Sequence, residues 1–204
     1  MLADKRLPEL LAAFASSAPT PAGGSASALA SAIGVSLLMM AASLVRSRTD
    51  SADDREALAG AWRVLAPLQQ ELTAAVDRDH AAYGQVVRAR SGSRTSARDL
   101  ADASIQSALQ GATDVPLHVI RMSAQALQQA SIVAERCHRP AMSDVRVAIG
   151  LIRAGLAGAR SSVDANLALL TNRAAVQAAR TEMAQLSLAA ARAADAAERS
   201  LSAS

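Results

Sequence analysis

The sequence is poor in aromatic residues and contains a single cysteine. Aromatic residues make up 1% of its 204 residues, and its 21 basic and 18 acidic side chains are interspersed, leaving a net charge of +3. A nucleic-acid surface needs aromatic side chains for base stacking and clustered basic charge, so no nucleic-acid partner is predicted. Because Cys137 has no second cysteine, intrachain disulfides and cysteine metal cages are excluded, which favours a cytoplasmic location.

What the sequence does have is a large supply of small and aliphatic residues. Hydrophobic residues make up 51% of the chain, and a core built from Ala, Leu, Val, Ile and Met is typical of closely packed helices. We therefore expect one domain over residues 1–204, an all-α antiparallel bundle of six to seven helices joined by short connectors. The predicted helices cover about 4–16, 24–46, 55–90 with a kink or break at Pro67, 97–113, 116–136, 143–170 and 173–201.

No charged residue occurs from Gly23 to Val45. A run of this length meets the length criterion for a membrane span. Its serines and Gly34 make it less apolar than a typical span, so a long buried central helix is the preferred interpretation and no membrane partner is predicted. The segment Met1–Arg6 has no apolar stretch of the kind found in signal peptides.

A rigid turn leads into this helix. Pro19 and Pro21 restrict the backbone, whereas Gly23 and Gly24 allow close approach of other atoms. The first amide groups of a helix have no intrahelical acceptor and can bind an anionic or polar ligand. The sequence therefore predicts a binding turn over Thr20–Ser25, with Thr20, Gly23, Gly24 and Ser25 as the candidate residues.

Titratable residues give a second set of candidates. Asp79 and Tyr83 are four residues apart on one helix face, so a carboxylate and a phenol share that face and could carry protons. A surface aspartate beside a half-buried tyrosine is the structural alternative. The three histidines have no partner at metal-ligand spacing, so no metal site is predicted. His118 alone is kept as a candidate proton carrier.

The helix predicted from Ser143 carries a stripe of small and polar residues. Its members are spaced by threes and fours and are Asp144, Ala148, Leu151, Gly155, Gly158, Ser162 and Asn166. One interpretation is tight helix packing, with Asp144 complementing the helix dipole. The other is that Asp144 and Asn166 line a substrate cavity. A cleft joining the Thr20–Ser25 turn, Asp79, Tyr83, Asp144 and Asn166 is the resulting hypothesis.

Five segments in a fixed order carry a family resemblance. They are Ser16–Ser25 (SSAPTPAGGS), Asp79–Tyr83 (DHAAY), Ile105–Leu117 (IQSALQGATDVPL), Ser143–Val145 (SDV) and Ala165–Leu167 (ANL). Together they resemble the signatures of the formiminotetrahydrofolate cyclodeaminase and methenyltetrahydrofolate cyclohydrolase family. The first segment corresponds to the PTPGGGS motif of that family.

The resemblance implies an enzyme of folate one-carbon metabolism. Such an enzyme hydrolyses 5,10-methenyltetrahydrofolate to the 10-formyl form, or cyclises formiminotetrahydrofolate with release of ammonia, without a metal or redox cofactor. It also implies a homodimer, in keeping with a long small-residue helix set that a partner chain would cover. The roles implied are proton transfer for Asp79, Asp144, Tyr83 and His118, and binding of a folate-like substrate for Thr20, Gly23, Gly24, Ser25, Arg48, Ser162 and Asn166.

The departures from the family pattern favour a second hypothesis. A lysine-rich element follows the second helix in the family, but the corresponding stretch here, Val45–Ser51, contains no lysine. Arg46 or Arg48 can still bind a carboxylate, although an arginine does not release its proton near neutral pH. The alternative is therefore an enzyme or binding protein of the same fold that uses a non-folate amine or imine, for example in a biosynthetic cluster.

Overall fold

The computed structural model describes residues 1–44, 51–92 and 103–203, and within these ranges it contains helices and no strands. We number the six α-helices α1 (Leu7–Phe14), α2 (Gly23–Ser43), α3 (Ala52–Gly92), α4 (Ala103–Arg136), α5 (Met142–Leu167) and α6 (Arg173–Ala203); a 3-10 turn, Arg139–Ala141, precedes α5. The predicted all-α bundle is confirmed.

Two prolines lie inside continuous helices. The prediction that Pro116 begins a new helix is wrong, because α4 runs from Ala103 to Arg136 through it. Similarly, Pro67 does not break α3. An interior proline removes one hydrogen bond and costs about 3 kcal/mol. The buried apolar face of α4, which includes the fully buried Ile120 and Leu127, offsets this cost through tertiary packing.

Helix α2 is the centre of the bundle. It packs against α3, α4 and α5, and its buried residues include Ala28, Val35 and Leu38. By length and composition it is the one helix among the described residues that could cross a membrane, but 56% of the relevant window is buried inside the fold. The long uncharged helix is therefore a buried core helix, as expected.

Small residues bring α2 and α5 together in antiparallel orientation. A Cβ atom on Gly34 would lie 2.6 Å from Cγ1 of Ile152, and one on Gly155 would lie 2.6 Å from the backbone carbonyl oxygen of Ser27. The buried Ser31 hydroxyl is paired with that of Ser123 at 2.9 Å. This antiparallel arrangement places the beginning of α2 beside the end of α5.

The chain before α1 is attached to α3. Carboxylate oxygens of Asp77 accept hydrogen bonds from the backbone amides of Leu2 and Ala3, and the side chain of Leu2 is buried in the core. Asp77 therefore has a structural partner of its own, two residues before the candidate residue Asp79.

Candidate active site

A cleft of about 180 Å³ lies where the beginning of α2 meets the end of α5. The first third of α4 and the second half of α3 supply its other walls. Its lining residues are Ala22, Gly23, Gly24, Asp79, Tyr83, Ala112, Ser162, Ala165 and Asn166. The fold thus brings six of the predicted site residues, from three separate segments, into one cleft.

Asp79 on α3 faces the first turn of α2. Its Oδ2 accepts a hydrogen bond of 2.8 Å from the hydroxyl of Ser25. The residue preceding α2 is Ala22, which has no side chain to cap the helix, and the first amide with an intrahelical acceptor is that of Ala26. Asp79 therefore supplies from another helix the negative charge that the beginning of α2 favours.

Burial makes Asp79 unusual among the described carboxylates. Desolvation raises the pKa of Asp79 above its ordinary value, and the hydrogen bonds from the hydroxyl and backbone amide of Ser25 only partly oppose this shift. A smaller opposing contribution comes from the neighbouring His80. A carboxylate of raised pKa is a stronger base than an ordinary aspartate, which is the property required for general-base chemistry near neutral pH.

Gly24 permits this approach of Asp79 to α2. A Cβ atom at position 24 would lie 2.5 Å from Cγ and 2.7 Å from Oδ2 of Asp79, and closer still to Oδ1. These separations are far inside van der Waals contact, so any larger residue at position 24 would displace the carboxylate. The glycine is required by close approach rather than by its backbone angles, since no glycine of the described chain has a positive φ.

The opposite wall of the cleft is formed by the last turns of α5. Asn166 Nδ2 donates a hydrogen bond of 2.8 Å to the backbone carbonyl of Ala112 on α4, and the Ser162 hydroxyl donates to the carbonyl of Gly158 at 3.2 Å. No hydrogen bond to the phenol of half-buried Tyr83 is found within the described ranges. Its hydroxyl remains available to a ligand.

The turn before α2 is held by His80, which is not among the predicted site residues. Thr20 Oγ1 lies 2.6 Å from Nδ1 of His80, the residue after Asp79. The Thr20–Pro21 peptide bond is cis. Thr20 therefore anchors the turn to α3 and does not itself line the cleft, whereas the backbone of Ala22 to Gly24 does. The position of His80 beside Asp79 was the one available signal for this role.

Asp144 does not lie in the cleft, and the prediction that it converges with Asp79 is wrong. Asp144 and Asn166 are 22 residues apart on α5, a separation of about 33 Å along the helix axis. The stripe from Asp144 to Asn166 therefore extends along nearly the whole of α5. Because Asn166 lines the cleft, Asp144 is at the far end, in the first turn of α5, where its charge complements the helix dipole.

His118 also lies outside the cleft. Its Nε2 is 3.5 Å from Oε2 of Glu71 on the outside of α3. The pKa of Glu71 is lowered chiefly by a hydrogen bond from Arg78, with smaller contributions from His118. This placement favours a surface ion pair over proton transfer to a bound ligand. The remaining candidate, Arg48, lies outside the described residues.

No group of three or more His, Cys, Asp or Glu side chains suited to a metal ion occurs in the part of the chain that the structure describes. The polar groups of the cleft are one carboxylate, one phenol, one hydroxyl, one amide and the first backbone amides of α2. They can accept and donate hydrogen bonds and exchange protons with a small ligand. Sequence reasoning missed Ala112 and Ala165, because alanines carry no chemical signal.

Three comparisons with known proteins concern the family and the fold of this chain. The sequence profile of the family described as Formiminotransferase-cyclodeaminase matches residues 6–185. Methenyltetrahydrofolate cyclohydrolase of Methylorubrum extorquens is 32% identical over 176 residues, which cover 85% of each chain. The fold resembles the crystal structure of formiminotetrahydrofolate cyclodeaminase from Thermotoga maritima with a TM-score of 0.90 at 20% identity, over 100% of this chain and 98% of the other.

Proposed function

This chain belongs to the formiminotransferase-cyclodeaminase family, and we propose that it hydrolyses the one-carbon bridge of 5,10-methenyltetrahydrofolate to give 10-formyltetrahydrofolate. The observation that carries the proposal is the half-buried Asp79, whose raised pKa and position in the cleft suit a general base. The relative named methenyltetrahydrofolate cyclohydrolase, at 32% identity, favours hydrolysis over the deaminating reaction. We also propose a cytoplasmic location, which the single cysteine supports.

The chemistry requires three proton transfers around one carbon. Water adds to the bridging carbon between the two nitrogens, and the Asp79 carboxylate accepts a proton from that water as the carbon–oxygen bond forms. The resulting tetrahedral carbon then loses its bond to one nitrogen. Protonated Asp79 returns its proton to that nitrogen, and the hydroxyl proton leaves to solvent as the formyl group forms. The reaction therefore releases one proton in total.

The other cleft residues stabilise and orient this carbon. The unpaired amides of Gly23 and Gly24 and the phenol of Tyr83 supply donors to the oxygen of the tetrahedral intermediate. Asn166 orients the ring by a hydrogen bond. A cleft of about 180 Å³ is smaller than the 300–1,000 Å³ typical of pockets that enclose a drug-sized ligand. It therefore accommodates the reacting end of a folate, while the tail lies outside it.

The decisive experiment is turnover of methenyl- and formimino-tetrahydrofolate by the purified protein and by Asp79→Asn. Asparagine preserves shape and can still accept a hydrogen bond from Ser25, but it is not a base. We expect kcat for methenyl hydrolysis to fall about a hundredfold or more, with the folded helical content retained. Asp77→Asn is the matched control, since Asp77 is on the same helix but binds the N-terminal backbone.

Two results would contradict the proposal. Equal turnover by wild type and Asp79→Asn would remove Asp79 from the mechanism. Turnover of the formimino substrate with ammonia release, and none of the methenyl substrate, would assign the deaminating reaction instead.

A non-folate substrate is the second candidate, and one observation favours it. Lys5 is the only lysine of the chain, so the lysine-rich element associated with the family has no counterpart. The expected result under this alternative is neither binding nor turnover of either folate, together with binding of a small amine or imine in the same cleft. Thermal-shift screening with small amines and imines distinguishes it from the folate enzyme.

We propose further that the protein is a homodimer formed through the outward face of α2. Ile33 and Met40 of the central helix, and Leu44 directly after it, are 46%, 37% and 43% exposed. Their spacing places them along one apolar stripe. Ile33→Glu should convert a dimer measured by light scattering into a monomer. A wild-type monomer at micromolar concentration would contradict the dimer.

A further inference from the structure

We infer that Pro116 is a positioning residue for the candidate site: it frees the backbone carbonyl of Ala112 to bind Asn166, and this fixes the Asn166 amide with its oxygen towards the cleft. Pro116 does not itself line the cleft. It lies inside α4, which continues through it without a break.

Pro116 removes one hydrogen bond from the backbone of α4. In an α-helix, the carbonyl of residue i accepts a hydrogen bond from the amide of residue i+4. The partner of Ala112 would be residue 116, but proline has no N–H, and its ring also pushes against the carbonyl four residues earlier. The carbonyl of Ala112 therefore lacks its normal intrahelical donor.

The carbonyl of Ala112 needs a hydrogen-bond donor from elsewhere in the fold. Ala112 is only 4% exposed, and a buried carbonyl without a partner is costly. The amide nitrogen of Asn166 supplies the bond at 2.8 Å, from a residue 54 positions along the chain. Pro116 thus leaves the carbonyl oxygen of Ala112 free to accept a hydrogen bond, and the side-chain amide of Asn166 donates it.

The bond to Ala112 also fixes the orientation of the Asn166 side-chain amide. The side-chain amide of asparagine is planar, with its oxygen and nitrogen on opposite edges. With Nδ2 bound to Ala112, Oδ1 lies on the other edge, and within the described ranges no residue donates a hydrogen bond to it. Asn166 lines the cleft, so this wall presents an acceptor. A ligand must offer it an N–H donor, such as a ring or exocyclic nitrogen.

This last statement about the ligand rests on the proposed function, but the orientation of the amide does not. The first measurement therefore uses the free protein. In wild type, the side-chain amide protons of Asn166, assigned by the loss of their NMR signal in Asn166→Asp, should be protected from hydrogen exchange. In Pro116→Ala the helix regains its own donor to Ala112, and that protection should fall severalfold.

Pro67→Ala is the matched control, because Pro67 is also a proline inside a helix but lies twelve residues, about 18 Å, before Asp79. It should leave the Asn166 amide unchanged. Equal protection of that amide in wild type and Pro116→Ala would overturn the inference, whatever the substrate proves to be. Loss of protection in both proline variants would also overturn it, since the effect would then not be local.

The second measurement is a double-mutant cycle on substrate affinity. Pro116→Ala and Asn166→Ala should each raise KM about three- to tenfold, the range expected for one hydrogen bond. If Pro116 acts through Asn166, adding Pro116→Ala to the asparagine variant should raise KM no further. Asn166→Leu, which also lacks an acceptor, replaces Asn166→Ala should the latter fail to fold. An equal additional rise in both backgrounds would show that Pro116 acts elsewhere.

The two proposals fail in different ways. A protein that turns over neither folate disproves the proposed function, and the exchange measurement then decides the orientation of Asn166 by itself. Active enzyme with an unprotected Asn166 amide disproves the positioning role and leaves the proposed function standing.

Discussion

The two ends of the α2–α5 pair use polar residues for different purposes. At one end, the first turn of α2 faces Asp79, and Asn166 closes a cleft about 180 Å³ in volume. At the other end, Asp144 occupies the first turn of α5 and lines no part of that cleft. The same periodic stripe connects both ends. A helical stripe therefore identifies a face of a helix, but position along the axis decides which of its residues share a site.

The largest effect is expected at the cleft end. Gly24→Ala would place a Cβ atom within 2.5 Å of Cγ of Asp79, so the carboxylate must move away from Ser25. We expect kcat/KM to fall at least about tenfold, because the general base is displaced by about an ångström or more. The helical fold should survive, since the clashing atoms belong to a single side chain.

Gly150→Ala is the control for that substitution. A Cβ atom at position 150 meets no atom within 4 Å, and alanine is favoured over glycine in a helix by about 1 kcal/mol. Unchanged activity and slightly higher stability are therefore expected there. Wild-type activity in Gly24→Ala would show that the approach of Asp79 to α2 is irrelevant to function.

In the middle of the α2–α5 contact, a substitution should lower stability and not catalysis. Gly155→Ala would place a Cβ atom 2.6 Å from the Ser27 carbonyl oxygen and 3.0 Å from the Ser31 backbone nitrogen. Backbone atoms cannot rotate away, so α2 and α5 must separate, at a cost of about 1–3 kcal/mol in the free energy of unfolding. Urea denaturation measures this cost. A stability equal to that of Gly150→Ala would contradict the close packing of α5 against α2 at Gly155.

The ionisation of Asp79 should affect stability and turnover in opposite directions as the pH rises. Its folded pKa is raised, so the folded state holds this proton more tightly than the unfolded state does. Its contribution to stability is complete below about pH 4, the unfolded value, and is lost as pH rises through the folded value. Turnover, in contrast, requires the ionised form and should rise through the same window.

Urea denaturation and kcat/KM, both measured from the unfolded pKa of Asp79 to its folded pKa, test the predicted fall in stability and the predicted rise in turnover. The stability difference between wild type and Asp79→Asn should shift in favour of the variant as pH rises. A wild-type stability that instead rose relative to Asp79→Asn would mean that the carboxylate is stabilised rather than desolvated by the fold.

The smallest effects are expected away from the cleft. Asp144→Asn removes a charge that favours the beginning of α5 and should cost only a few tenths of a kcal/mol in stability, with kcat/KM unchanged. His118→Ala should likewise leave kcat/KM unchanged, since its partner is the exposed Glu71. A tenfold loss of turnover in either variant would return that residue to the catalytic machinery and contradict the assignment of the site to the cleft end.

Particular residues show how far the sequence predicted the site. Gly24, Asp79, Tyr83 and Asn166 were all identified beforehand, because their residue types and the family resemblance pointed to them, and all four line the cleft. The interior position of Pro116 in α4 was not predicted. Local rules make proline a helix start or break, and only packing of the surrounding helix overrides them.

The sequence by itself determined the helical class, the uncharged central helix and the family, because composition, period and motif order are properties of the chain. Tertiary structure decided which polar residues meet. Asp79 reaches Ser25 across 54 residues, and Asn166 reaches Ala112 across the same separation. Such contacts depend on the direction and depth at which helices pack, and these follow from side-chain volumes over the whole core rather than from any local pattern.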